Sequence, residues 1–78
     1  MHILLQQPIP GSPSPRFLRL MLEQDLLGGW ELTRETGHLG GKSQIKRETF
    51  LDRTHAMAAF EITRSEHEKR GFLPPLQK

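Results

Sequence analysis

Gly28-Gly29-Trp30-Glu31-Leu32-Thr33-Arg34-Glu35-Thr36-Gly37-His38-Leu39-Gly40-Gly41-Lys42-Ser43 is the stretch that decides how this chain folds, because it holds the one Trp and five of the seven glycines. Trp30, Leu32 and Arg34 alternate with Glu31, Thr33 and Glu35, so one face of an extended segment is mostly apolar and the other polar, as in a half-buried strand. Gly28 and Gly29 open this strand, and a second glycine-rich turn, residues 37–41, closes it. Glycine supplies the positive φ that tight reversals need, and Gly37, at the strand's end, is expected to adopt it. The segment reads as the middle strand of an antiparallel meander.

On its N-terminal side, residues 16–24 alternate again: Leu18, Leu20 and Leu22 point one way, and Arg19, Met21 and Glu23 the other. Asp25 follows, placed to bond backbone amides ahead of it and reverse the chain. Residues 1–15 hold four of the six prolines together with Gly11, Ser12 and Ser14, a composition that disfavours both helix and internal strand. They read as a flexible arm whose apolar start, Ile3-Leu4-Leu5, is suited to covering a sheet edge.

On the C-terminal side, residues 44–51 read as a third strand, with Lys46, Glu48 and Phe50 on one face and Ile45, Arg47, Thr49 and Leu51 on the other. Asp52 stands where a helix N-cap should. The residues from 53 to 70 contain neither Gly nor Pro, and Gly71 then stops the helix. Ala56, Ala59, Phe60, Thr63 and His67 recur at three- and four-residue steps, a narrow face for packing on the sheet, with Trp30 expected to lie buried beneath it. Phe72 is expected to tuck under the helix end, and residues 73–78 form a tail. The architecture is α+β in two layers: an antiparallel sheet of three to four strands with one long helix packed across one face.

Over residues 16–72 the chain resembles the WGR domain, a small module of poly(ADP-ribose) polymerases and of many short bacterial proteins. The matching pieces are Asp25-Leu26-Leu27-Gly28-Gly29-Trp30, Leu32 and Arg34, Gly37-His38-Leu39-Gly40, then Gln44, Phe50, Ala56 and Phe60, and a closing Gly71-Phe72. The three-residue signature that names the family is Thr36-Gly37-His38 here, so only its Gly is kept. The resemblance implies the same two-layer layout, a bacterial source, and a non-catalytic interaction module whose ligand is DNA, held near the glycine turn. In the polymerases the signature Trp and Arg lie near this turn and help hold a DNA end. With Thr36 and His38 in those places, the contact expected here is weak and runs through phosphate.

Composition narrows the alternatives. Seventy-eight residues make one domain, and a core built from residues 16–72 is at the margin of independent folding, so a homodimer or a larger protein partner is the competing expectation. The absence of Cys excludes a disulfide framework and a thiolate metal site. No run approaches the roughly 18 apolar residues of a membrane span, and Ile3 to Leu5 is too short for a signal-peptide core, so a cytoplasmic location is expected. Eleven Lys and Arg against nine Asp and Glu leave a charge of +2, too small to announce a polyanionic partner except through its distribution.

No catalytic, metal or cofactor site is expected. Gly41-Lys42-Ser43 resembles the end of a phosphate-binding P-loop, but position 36, where that motif's first Gly belongs, is Thr, and a strand rather than a helix follows. His55 and His67 share the helix but stand 12 residues apart, rotated by about 120°, and cannot close on one ion. Glu66 and Glu68 diverge, and no Ser or Thr has a base beside it. Arg34 is expected to meet Glu61 or Asp52 beneath the helix. The candidate nucleic-acid contacts are Arg34, His38, Lys42, Lys46 and Arg47, around the glycine turn.

Overall fold

The alternating segments pair in chain order. The structure, a computed structural model, describes residues 1–75, so the part of the expected tail at 76–78 lies outside the described residues. β1 (His2–Gln7), β2 (Arg16–Gln24), β3 (Trp30–His38) and β4 (Ser43–Phe50) form one antiparallel sheet in the order β1-β2-β3-β4, and α1 (Arg53–Lys69) packs across one face. The α+β, two-layer architecture is the one the patterns imply.

Register decides which side chains meet the helix. Leu18 stands opposite Thr36, Leu20 opposite Arg34 and Leu22 opposite Leu32, while Arg34 faces Lys46 and Leu32 faces Glu48 on the other side. Leu5, Leu18, Leu20, Leu22 and Leu32 of the sheet close on Ala56 and Phe60 of α1 and on Phe72 beyond it, giving one buried cluster. Burying each leucine stabilises the fold by about 1.5–3 kcal/mol. Trp30 packs against this cluster but is only half-buried, with the Arg53 guanidinium 6.0 Å from its ring centre.

Four expectations need correction, the first being Trp30, which is not buried beneath the helix but half-buried at the rim of the cluster. The loose arm is not loose in its first half. Residues 2–7 form β1, in which Leu5 pairs with Leu18 and is buried, while the prolines begin only at Pro8 and so leave the strand's amides free to bond. The apolar start covers a sheet edge by joining the sheet. Gly37 lacks positive φ; it is Gly40 that adopts it, at the third place of a turn closed by the Gly41 amide on the His38 carbonyl, 2.9 Å. Gly37 is needed for room instead, since a Cβ there would fall on the Lys42 carbonyl oxygen and lie 2.8 Å from the Ser43 Cα. Arg34 pairs with neither Glu61 nor Asp52 but with Glu48 of the adjacent strand, Nη2 to carboxylate oxygen 3.0 Å.

Both ends of α1 are closed by the residues that announced them. The Asp52 carboxylate accepts the His55 amide at 2.8 Å and meets the His55 ring, and these bonds hold its pKa below the usual carboxylate range. At the other end the Gly71 amide donates to the Glu68 carbonyl and the Phe72 amide to the His67 carbonyl, each 3.0 Å, with Gly71 at φ +96°, which is a Schellman closure. The chain then runs back beside β1, where Gln6 and Leu73 exchange two backbone hydrogen bonds, 2.7 and 2.8 Å. The β1 edge of the sheet is thus paired at its Gln6 end. The other, along β4, is exposed from Ser43 to Thr49 and carries Lys46 and Arg47, the kind of charge that keeps an open edge from pairing.

Candidate nucleic-acid interface

The Schellman closure of α1, the start of β2 and the β3–β4 turn come together at one end of the molecule and enclose a cleft of about 740 Å³. Antiparallel pairing puts Arg16 opposite His38 at its mouth. Lys42 enters from the turn, Arg70 from the C-cap of α1 and His67 from the last helical turn, with Phe17 and Phe72 among the apolar walls. Among the described residues no carboxylate lines it. Arg16, Lys42 and Arg70 have no carboxylate within ion-pair distance among the described residues, so their charges are free to act on a ligand.

The helix end brings its own partial negative charge here, which would oppose an anion. Three of its carbonyls are already engaged: those of His67 and Glu68 by the closing amides, and that of Arg70 by the Gln7 side-chain amide, 2.5 Å. His67 is oriented by the same structure. Its Nδ1 lies 2.9 Å from the Thr63 carbonyl and therefore carries the proton, and its ring meets the Phe72 ring edge-on at 5.0 Å, leaving Nε2 to make other contacts.

The five residues that the sequence nominates do not form one surface. His38 and Lys42 line the cationic cleft. Arg34 and Lys46 line a neighbouring cleft of about 790 Å³ between α1 and the β3–β4 ladder, where Glu48 and Glu66 dilute their charge; Arg34 is tied to Glu48 there, and its buried Nε has no partner among the described residues. Arg47 lies on the opposite face of the sheet, 3.9 Å from Glu31. That outer face also holds Arg19 against Glu35 at 2.9 Å, with the Ser43 hydroxyl donating to the same carboxylate at 2.8 Å, so it is balanced rather than basic.

Arg16, His67 and Arg70 were missed by sequence reasoning. The signal for Arg16 was available: two nine-residue strands joined by a tight loop place the first residue of one against the last of the other. Arg70 was marked only indirectly, as the residue before the helix-stopping Gly71.

Thr36 and His38 both face this end, Thr36 lining both clefts and His38 the cationic one. Among the described residues no three His, Asp or Glu side chains converge as metal ligands would, and no helix is long and apolar enough to cross a membrane. In comparisons with known proteins, no curated protein and no solved structure matches the chain. A family model, that of the WGR domain, matches residues 1–78 and so takes in β1 as well as the meander and helix. WGR domains are small binding modules that engage nucleic acid or protein, and by this match over its whole length the chain belongs to the WGR domain family.

Proposed function

We propose that this chain is a non-catalytic module that holds nucleic acid by its phosphates, in the cleft between the glycine turn and the end of α1. The observation that carries the reading is the gathering of Arg16, Lys42 and Arg70, with His38 and His67, in a cleft that, among the described residues, no carboxylate lines. Guanidinium forks and an ammonium suit phosphate oxygens, which are the same along any sequence. Thr36 cannot stack on a base or sugar, and the His38 imidazole is a poorer phosphate fork than a guanidinium, so the reading includes no sequence preference and modest affinity.

Titration of a linear DNA duplex at a series of salt concentrations tests this. Each phosphate contact made by a cation contributes about −0.9 to the slope of log affinity against log salt, so three cations give a slope of roughly −3. Arg16→Ala, Lys42→Ala and Arg70→Ala should each lower that slope by about one unit, while Arg47→Ala, on the other face, leaves it unchanged. Thr36→Trp with His38→Arg is expected to raise affinity for a 5′-phosphorylated end above that for a closed circle. No binding at low salt, or binding indifferent to Arg16 and Arg70, would remove the reading.

A further inference from the structure

The end of the molecule away from the cleft carries the most exposed apolar side chains among the described residues. Leu26, Leu27 and Leu51 are 104%, 97% and 96% exposed. Leu27 and Leu51 line one shallow depression with Phe50, so the loop at 25–29 and the junction at 50–52 present these two leucines together, with Leu26 next to Leu27 in the chain. The loop is held in shape. The Asp25 carboxylate accepts the amides of Leu27 and Gly29, each 2.8 Å, and the Asp25 amide donates to the Gly29 carbonyl, 2.8 Å. Leucines fixed side by side in water mark a contact surface more than scattered ones do.

Area and charge select the occupant. Three leucines fall short of the roughly 800 Å² that each member of a stable symmetric dimer contributes. Two such tips meeting would also set Asp25 and Asp52 of one copy against the same carboxylates of the other. Residues 25–29 and 50–52 bear those two carboxylates and no cation, and the next residue, Arg53, is turned to the Trp30 ring. The cleft at the opposite end is the complement: Arg16, Lys42 and Arg70 above apolar walls of Phe17 and Phe72. The nine residues of β3, at about 3.3 Å each, separate tip from cleft, so a tip can reach only the cleft of another copy.

We propose that the leucine tip of one copy docks in the cationic cleft of the next. The contact is heterologous and small, hence open-ended and transient rather than a closed dimer. It occupies the surface assigned above to phosphate, so assembly and duplex binding exclude one another; that exclusion rests on the proposed function, whereas the docking does not.

Sedimentation velocity over a concentration series tests it, using the wild type, Leu26→Ser with Leu27→Ser, and Arg16→Glu with Arg70→Glu. All four positions are exposed, and circular dichroism with thermal unfolding checks that each variant keeps its fold. The wild type should sediment faster as concentration rises and lose this with salt. Each variant alone should stay monomeric, and an equal mixture should recover a one-to-one complex, because the leucine variant keeps its cleft and the arginine variant its tip. A wild type that is monomeric at millimolar concentration in low salt overturns the docking, as does association that survives the leucine changes. So does a monomer that floats with phosphatidylcholine vesicles through Leu26 and Leu27. Duplex DNA should disperse the assemblies; assembly that persists beside unbound duplex retains the docking and removes the phosphate reading.

Discussion

At Gly37 the constraint is space. Its backbone is ordinary strand, but the Lys42 carbonyl and the Ser43 backbone stand where a side chain would begin, because β4 starts directly across from it. Gly40, two places into the turn, has the opposite need: positive φ and open space around it. Asn separates the two causes, since it tolerates the left-handed region yet has a Cβ. Gly40→Asn should be close to neutral, whereas Gly37→Asn should destabilise by about 1–3 kcal/mol in urea unfolding. Equal effects at the two sites would contradict this division. Neither cause can be told from the other in the sequence, where both residues are simply glycines near a turn. Arg34 teaches a related point: alternation put it on the correct face, but its partner Glu48 is chosen by strand register, which alternation leaves open.

Among the elements, α1 was the most legible because its signals are local. A capping carboxylate, a run without Gly or Pro and a stopping glycine lie within or beside the helix itself, and Ala56, Phe60 and Thr63 are its buried face as their spacing indicates. Asp52 links this element to pH. Its pKa is lowered in the folded chain, chiefly by the hydrogen bond it accepts from the His55 amide, so the folded state binds its proton less readily than the unfolded state. The stability it adds is therefore present above the unfolded carboxylate range and is lost as pH falls through the lowered value. Asp52→Ala should reduce the Tm near neutral pH, and the gap from wild type should narrow in strong acid. Asp52→Asn keeps an acceptor for the amide without the titration, so its Tm should vary less across the acid range than the wild type's. A gap that stays constant with pH would count against the cap as the cause. The strands were less legible in proportion to the distance of their partners: β2 and β3, joined by a tight loop, were readable from alternation, but β1 was hidden beside four prolines and is recognisable only by the side chain it buries across the sheet.

At the scale of the whole molecule, β1 turns three strands into four and completes the core. Deleting residues 1–7 removes Leu5 from beside Leu18 and withdraws the partner of Leu73, so the shortened chain should lose cooperative thermal unfolding rather than merely shed an appendage. A sharp transition retained at nearly the same Tm would restore the view of residues 1–15 as an arm. A net charge of +2 also gave no hint of the cationic cleft, because ion pairs among Arg64, Glu61 and Glu68, and between Arg19 and Glu35, neutralise charge elsewhere while Arg16, Lys42 and Arg70 are left at one end. The Gln6–Leu73 bridge has a mechanical consequence. β1 begins at the leucine end and finishes beside Leu73 at the cleft end, along a body 45 Å in its longest dimension. Tension applied between Met1 and Leu73 therefore runs along the strands and loads the β1–β2 hydrogen bonds together, in shear. Tension applied between Gln7 and Arg16, at one end of the same ladder, peels them one after another. In an optical trap the first attachment should yield at clearly higher force than the second, although both break the same bonds.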